Sequence, residues 1–189
     1  TAPANQPVKH PDKQTIGARV SDFNLTAMDG MKLSLQELLA GKRGAVVVFW
    51  SGVCSHCVLY DRYLSGFALQ HPEIGLVAIA SRHGETPDEI RAVVAKRQLR
   101  FPLLHDPGGR VAGQWSTQQT PRAFLIDSNG VLLYRGAIDN YKYPEDPEHV
   151  LYLEPAISQF LSGVPLTRTE TASFGCAIQS VYYILPKAL

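Results

Sequence analysis

Cys54 and Cys57 stand two residues apart in the stretch Phe49-Trp50-Ser51-Gly52-Val53-Cys54-Ser55-His56-Cys57. Thiols at this spacing can hold a metal, form a structural disulfide, or cycle between dithiol and disulfide. The flanking elements bear on the choice. Ala45-Val46-Val47-Val48 opens a continuous apolar, β-branched run, the pattern of a parallel strand buried on both faces. From Ser55 to about Leu69, the residues Cys57, Tyr60, Leu64, Phe67 and Ala68 recur at helical spacing. Cys54 then falls where a buried strand gives way to a helix. Backbone N–H groups there lack helical partners and favour negative charge. A thiolate at that point is stabilised, and its pKa falls below the free value of about 8.5. Cys57 lies one turn further in, where its sulfur can reach Cys54, so the spacing suits an attacking thiol and a resolving thiol. Zinc usually asks for four ligands, and the remaining cysteine, Cys176, is remote and brings no second CxxC or tight histidine pair. An inert structural disulfide stays open as a competing reading.

The rest of the chain supplies a scaffold for such a pair. Its 189 residues suffice for one core, 45% of them are apolar, and 18 basic against 17 acidic residues nearly cancel. That balance carries no electrostatic footprint for nucleic acid, and no apolar run reaches the roughly 18–20 residues of a membrane-spanning helix. Ahead of the pair, a short extended segment, a turn at Asp29-Gly30 and a short helix near Leu35–Leu39 are expected. Ile74-Gly75-Leu76-Val77-Ala78-Ile79-Ala80-Ser81 reads as a second buried strand. Thr86-Pro87-Asp88-Glu89 carries helix-start signals for a helix running to about Gln98. A short strand at Phe101–Leu104 and a short helix from Asp106 to near Trp115 follow. Arg122–Asp127 and Val131–Ile138 read as a hairpin across Asn129-Gly130. Pro155 and Gly163 bracket a last helix. This order predicts an α/β fold: a central mixed sheet with helices on both faces and right-handed crossovers in its parallel part.

The motif Phe-Trp-x-x-x-Cys-x-x-Cys after a buried strand, with Thr120-Pro121 ahead of a later strand, resembles the thioredoxin superfamily. The closer likeness is to its redoxin branch, which holds the alkyl hydroperoxide reductase/thiol-specific antioxidant (AhpC/TSA) group and the TlpA- and ResA-type thiol-disulfide oxidoreductases. The likeness spans roughly Ile16 to Gly163, and the helix and strand at Thr86–Leu104 match that branch's insertion. It implies a thioredoxin-like fold at residues 16–163, a flexible tail at 1–15 and an extension at 164–189 holding Cys176. It implies a thiol-disulfide oxidoreductase acting on protein substrates, with a redox partner protein and no cofactor. Cys54 would be the nucleophile and Cys57 the resolving thiol. Thr120-Pro121 would be a cis-proline loop facing them, although a trans turn proline would read the same from sequence. Trp50, Ser55 and His56 would shape the site. Thioredoxin has Gly-Pro between its cysteines and the oxidant DsbA has Pro-His; Ser55-His56 shares only the histidine, so the direction of electron flow stays open.

Departures from the family pattern matter as much. The buried Asp of thioredoxin is replaced by Val48, and the Glu that ResA-type proteins place three residues after the second cysteine is Tyr60. Tyr60 and Asp61 remain candidates for proton transfer by proximity alone. A peroxiredoxin-like peroxidase is the alternative, but the proline of its motif would fall at Val47. A copper-binding redoxin is a further alternative, with His149 downstream. His10, His71, His83 and His105 show no metal spacing. Cys176 lies in Glu170-Thr171-Ala172-Ser173-Phe174-Gly175-Cys176-Ala177-Ile178, resembling a tail of bacterial redoxins. It reads as a small buried hydrophobe or, if the tail folds back, as a third redox thiol. Ser180–Leu185 is β-prone and apolar, suited to an edge strand. The first residues look like a chain just after a removed export signal, so a periplasmic or otherwise exported location is expected, with the cytoplasm as the alternative.

Overall fold

In the computed structural model, which describes residues 15–178, the chain enters its sheet through a hairpin of β1 (Asn24–Ala27) and β2 (Lys32–Ser34). The Asp29-Gly30 turn joins them, with Gly30 at φ 86°. α1 (Leu35–Leu39) follows, capped by the Ser34 hydroxyl, which accepts from the Glu37 N–H at 3.1 Å. β3 (Gly44–Trp50) is buried along its whole length, as its β-branched run demands. α2 (Ser55–Val58) and α3 (Asp61–Gln70) divide what the periodicity reads as one helix. The break falls at Leu59-Tyr60.

β4 (Ile74–Ala80) pairs parallel with β3. α4 (Pro87–Arg97) then opens on the expected capping box, with the Thr86 N–H donating to Glu89 Oε2 at 2.9 Å and the Glu89 N–H donating to Thr86 Oγ1 at 3.2 Å. β5 (Leu103–His105) runs parallel to β4, and a 3₁₀ turn at Pro107–Gly109 leads into α5 (Arg110–Gln114). β6 (Gln119–Thr120) is a two-residue strand ahead of β7 (Arg122–Asp127), which forms the expected hairpin with β8 (Leu132–Gly136). α6 (Leu153–Leu161) begins two residues before Pro155, which sits in the first turn where its missing N–H costs nothing. β9 (Cys176–Ala177) pairs antiparallel with β6.

The large sheet has the order β2-β1-β5-β4-β3-β7-β8, and β3, β4 and β5 form its parallel centre. Alternation along β3 splits the core. Val46, Val48 and Trp50 pack with Leu64, Phe67, Ile90 and Ile157 on one face, while Ala45, Val47 and Phe49 pack with Leu38, Val111 and Trp115 on the other. This is the mixed sheet with helices on both faces that a thioredoxin-like fold requires. The apolar stretch at 180–185, and residues 1–14 with His10, lie outside the described residues.

Candidate active site

The ends of β3 and β4 lie side by side, with Trp50 opposite Ala80, and the loop leaving β3 carries the cysteines. Cys54 is the N-cap of α2 in an extended conformation (φ −85°, ψ 116°). Because α2 has only four residues, its dipole is smaller than that of the long helix read from the sequence. Cys54 and Cys57 are both fully buried.

The disulfide of the site is not the one that the CxxC spacing suggests. Cys54 is bonded to Cys176, 122 residues away, with their Cα atoms 5.8 Å apart. Cys57 carries a free, buried thiol. Cys176 is therefore not an isolated buried cysteine. The tail folds back so that Thr120 pairs with Cys176 and Gln119 with Ala177, and the Ile178 N–H donates to the Gln118 carbonyl at 2.9 Å. The Thr120–Pro121 peptide bond is cis. The Cys54 sulfur lies 3.5 Å from the Thr120 carbonyl oxygen, so this loop faces the disulfide.

The shaping residues divide into two groups. Ser55 and His56 are exposed, and a His56 ring nitrogen lies within 4.8 Å of both bonded sulfurs. These three side chains are potential metal donors, but two of them share a disulfide and offer no thiolate. Trp50 is fully buried behind the cysteines, its ring edge-on to Phe101 with centroids 6.3 Å apart and under the Arg97 guanidinium at 5.6 Å. It acts on the site through packing rather than by lining the surface.

Tyr60 and Asp61 are both engaged elsewhere. The Tyr60 hydroxyl donates to Asp139 Oδ1 at 2.5 Å, and burial together with that carboxylate pushes its pKa far above the ordinary phenol value. A phenol held this way keeps its proton. Asp61 takes a bidentate pair from Arg97, at 2.7 and 2.6 Å. Among the histidines, His71 and His149 contact Glu154 and Asp139, each at 2.9 Å, while His105 contacts the Glu85 carbonyl at 3.2 Å.

One residue that sequence reasoning missed holds the cysteine loop. Glu85 is buried, accepts from the Ser51 hydroxyl at 2.8 Å, and accepts from the Gly52 N–H at 2.8 Å. A Cβ on Gly52 would come within 3.1–3.2 Å of the Glu85 carboxylate, Val93 and the Trp50 ring, so a larger residue there would press on the groups that hold the loop. Glu85 lies past the C-terminal end of a central parallel strand, where functional groups gather, but only the pairing of β4 with β3 brings it to the cysteine loop. Burial pushes the Cys57 thiol up to about 11; hydrogen bonds from the Ser51 backbone and Thr120 side chain and the charge of Arg97 pull it down, and the charge of Glu85 adds to the rise.

Beside the disulfide lies a cavity of about 340 Å³, bounded by His56, Leu59, Tyr60, Pro121, Tyr141 and Phe174 among others. Leu59 and Phe174 of its wall are exposed, as are Val53 and Val58, which flank the cysteine pair in sequence. No helix among the described residues is long and apolar enough to cross a membrane.

Comparison with known proteins accords with this geometry. The profile of the AhpC/TSA family matches residues 16–135. The chain is 29% identical over 119 residues to the thiol-disulfide oxidoreductase ResA of Bacillus cereus, covering 63% of this chain and 68% of that protein. It is 28% identical over 131 residues to a thiol:disulfide interchange protein DsbE homologue of Paracoccus denitrificans, covering 65% and 66%. Among solved structures, a hypothetical protein from Sinorhizobium meliloti 1021 superposes with a TM-score of 0.78 at 29% identity, over 88% of this chain and 95% of that one. The chain belongs to the AhpC/TSA family, as an oxidoreductase of its thiol-disulfide branch.

Proposed function

We propose that the protein exchanges disulfides with protein substrates through Cys54 and Cys57. The observation that carries this reading is the bond from Cys54 to a cysteine in an extended segment laid antiparallel along Gln119–Thr120, beside Pro121. A substrate peptide in a mixed disulfide would need the same edge. Cys54 attacks a substrate disulfide, and Cys57 resolves the mixed disulfide from behind. Thr120 and Pro121 shape the edge, Ser55 and His56 form its exposed rim, and Trp50 with Arg97 supports the loop. The apolar surface of Val53, Val58, Leu59 and Phe174 offers contact area for an unfolded or partly folded protein.

Electrons pass between sulfurs, so the cycle calls for a second redox protein to reset the pair and for no cofactor. An exported location fits a disulfide that persists between turnovers. The test is the reduction of insulin disulfides in the presence of a dithiol. The wild type should accelerate precipitation of the insulin B chain, and Cys54→Ser should fall to the uncatalysed rate. Consumption of hydroperoxide by Cys57→Ser at the wild-type rate, with no insulin turnover by either protein, would contradict the reading and favour a peroxidase.

A further inference from the structure

The tail is anchored on both sides of Cys176. Upstream, the Arg135 N–H donates to the Thr169 carbonyl at 3.0 Å and the Thr171 N–H donates to the Arg135 carbonyl at 3.1 Å. Thr171 Oγ1 accepts from the Ala137 N–H at 3.0 Å and lies 2.6 Å from the Tyr134 hydroxyl. Downstream, Ile178 is fully buried, and its carbonyl accepts from the His83 N–H at 3.0 Å. Gly175 passes so close over Thr120 that a Cβ would overlap the Thr120 carbonyl oxygen. The segment is thus seated in a groove made for a small residue, a cysteine and, two positions on, an apolar anchor.

A bridge of purely structural purpose would have no need of the first cysteine of a CxxC pair, or of a free thiol one helical turn behind it. Here Cys57 is a free, buried thiol hydrogen-bonded by the same Thr120 whose carbonyl faces the Cys54 sulfur. Cys176 is only half-buried, so a thiolate leaving there can meet water. A ring nitrogen of the exposed His56 lies within 4.8 Å of both sulfurs.

We propose that Cys176 is a third catalytic thiol, and that the tail strand is an internal disulfide partner which exchanges with Cys57 at Cys54. In the forward step Cys57 loses its proton and its thiolate attacks the Cys54 sulfur. The Cys54–Cys57 bond forms as the Cys54–Cys176 bond breaks, and Cys176 leaves with the electron pair and takes up a proton. One disulfide and one thiol are present before and after, so no external oxidant enters. In the reverse step Cys176 recaptures Cys54 after a substrate disulfide has been reduced, and the tail covers the edge that the substrate used. This rests on the proposed oxidoreductase cycle and adds to it a closed, oxidised resting form.

The test follows the free thiol in the full chain. Oxidised protein, held at acidic pH and then moved to between pH 6 and 9, is quenched with acid at intervals, unfolded, alkylated and mapped by mass spectrometry. The label should redistribute between Cys57 and Cys176. The groups facing Cys57 are Arg97, Glu85 and Tyr60, with the thiol itself raised by burial. Its thiolate fraction, and the exchange rate, should therefore rise about tenfold per pH unit. Cys57→Ser should keep the Cys54–Cys176 bond and take up no label. Gly175→Val should shift the population towards Cys54–Cys57 by at least about tenfold, because its side chain expels the strand. Label found on Cys57 alone at every pH and in Gly175→Val would overturn the relay and leave a static bridge. Insulin turnover by the wild type in that case would leave the oxidoreductase reading standing. Label exchange without insulin turnover would do the opposite, supporting the relay and removing its protein substrate.

Discussion

At the scale of single residues, burial and charge pull Cys57 in opposite directions. Desolvation of the thiolate raises its pKa to about 11, and Arg97 and two hydrogen bonds recover only part of the rise. Below that pKa the thiol is mostly neutral, so its reactivity climbs as pH rises. Glu85 contributes to the rise through its charge while its oxygens hold Ser51 and Gly52. Glu85→Gln keeps an acceptor for the Gly52 N–H and removes the charge. It should lower the Cys57 pKa and speed alkylation of Cys57 at pH 7 by up to about tenfold, the effect of one pKa unit. A rate that is unchanged or slower would mean that Glu85 acts only by holding the loop. The CxxC pair stood out because its residue types and spacing carry thiol chemistry locally; Thr120-Pro121 stood out only through the family resemblance, since a trans turn proline reads the same from sequence. Glu85 was not, because its importance arises from β4 ending beside β3, a pairing that no local pattern encodes. Tyr60 and Asp61 looked available for proton transfer only because their partners, Asp139 and Arg97, are remote in sequence.

At the scale of elements, Arg97 ties three of them together at the rim of the site. From the end of α4 it clamps Asp61 at the start of α3, donates to the Gly52 carbonyl at 3.2 Å, and stacks on Trp50. Its side chain is 18% exposed and that of Asp61 is 20%, so water does little to replace the pair when it is broken. Arg97→Ala should cost about 2–3 kcal/mol in urea unfolding and loosen the cysteine loop. Arg97→Lys should recover only part of that, since an ammonium cannot reproduce the two-pronged contact. A loss below 0.5 kcal/mol, the ordinary range of surface changes, would show that the clamp is incidental.

Long buried strands and the capped helix α4 were readable because each depends on local chemistry: β-branched runs in β3 and β4, and the Thr86–Glu89 capping box. The split between α2 and α3 escaped because the apolar periodicity runs on through the break at Leu59-Tyr60. β6 and β9 escaped altogether. Two-residue strands have no period, and each exists only because the other lies beside it.

At the scale of the whole molecule, the sheet order brings the site together from four parts of the chain. β3 delivers Cys54, β4 delivers Glu85 through the loop that follows it, β6 and the cis bond deliver the pairing edge, and the returning tail delivers Cys176. Leu59 and Phe174 are exposed in the cavity that also touches Pro121, and the tail already occupies the pairing edge of Gln119–Thr120. In the proposed cycle Cys54 meets Cys57, Cys176 and an incoming substrate in turn.

The most direct measurement is covalent capture. A Cys57→Ser/Cys176→Ser double variant of the full chain, reduced and then desalted, leaves Cys54 with no internal thiol to release what it binds. Incubation with excess insulin, an acid quench and peptide mapping should find an insulin cysteine disulfide-bonded to Cys54, and addition of a small thiol should release it. A reduced Cys54 that forms no such adduct, in a variant that remains folded by circular dichroism, would contradict the central claim that Cys54 opens protein disulfides.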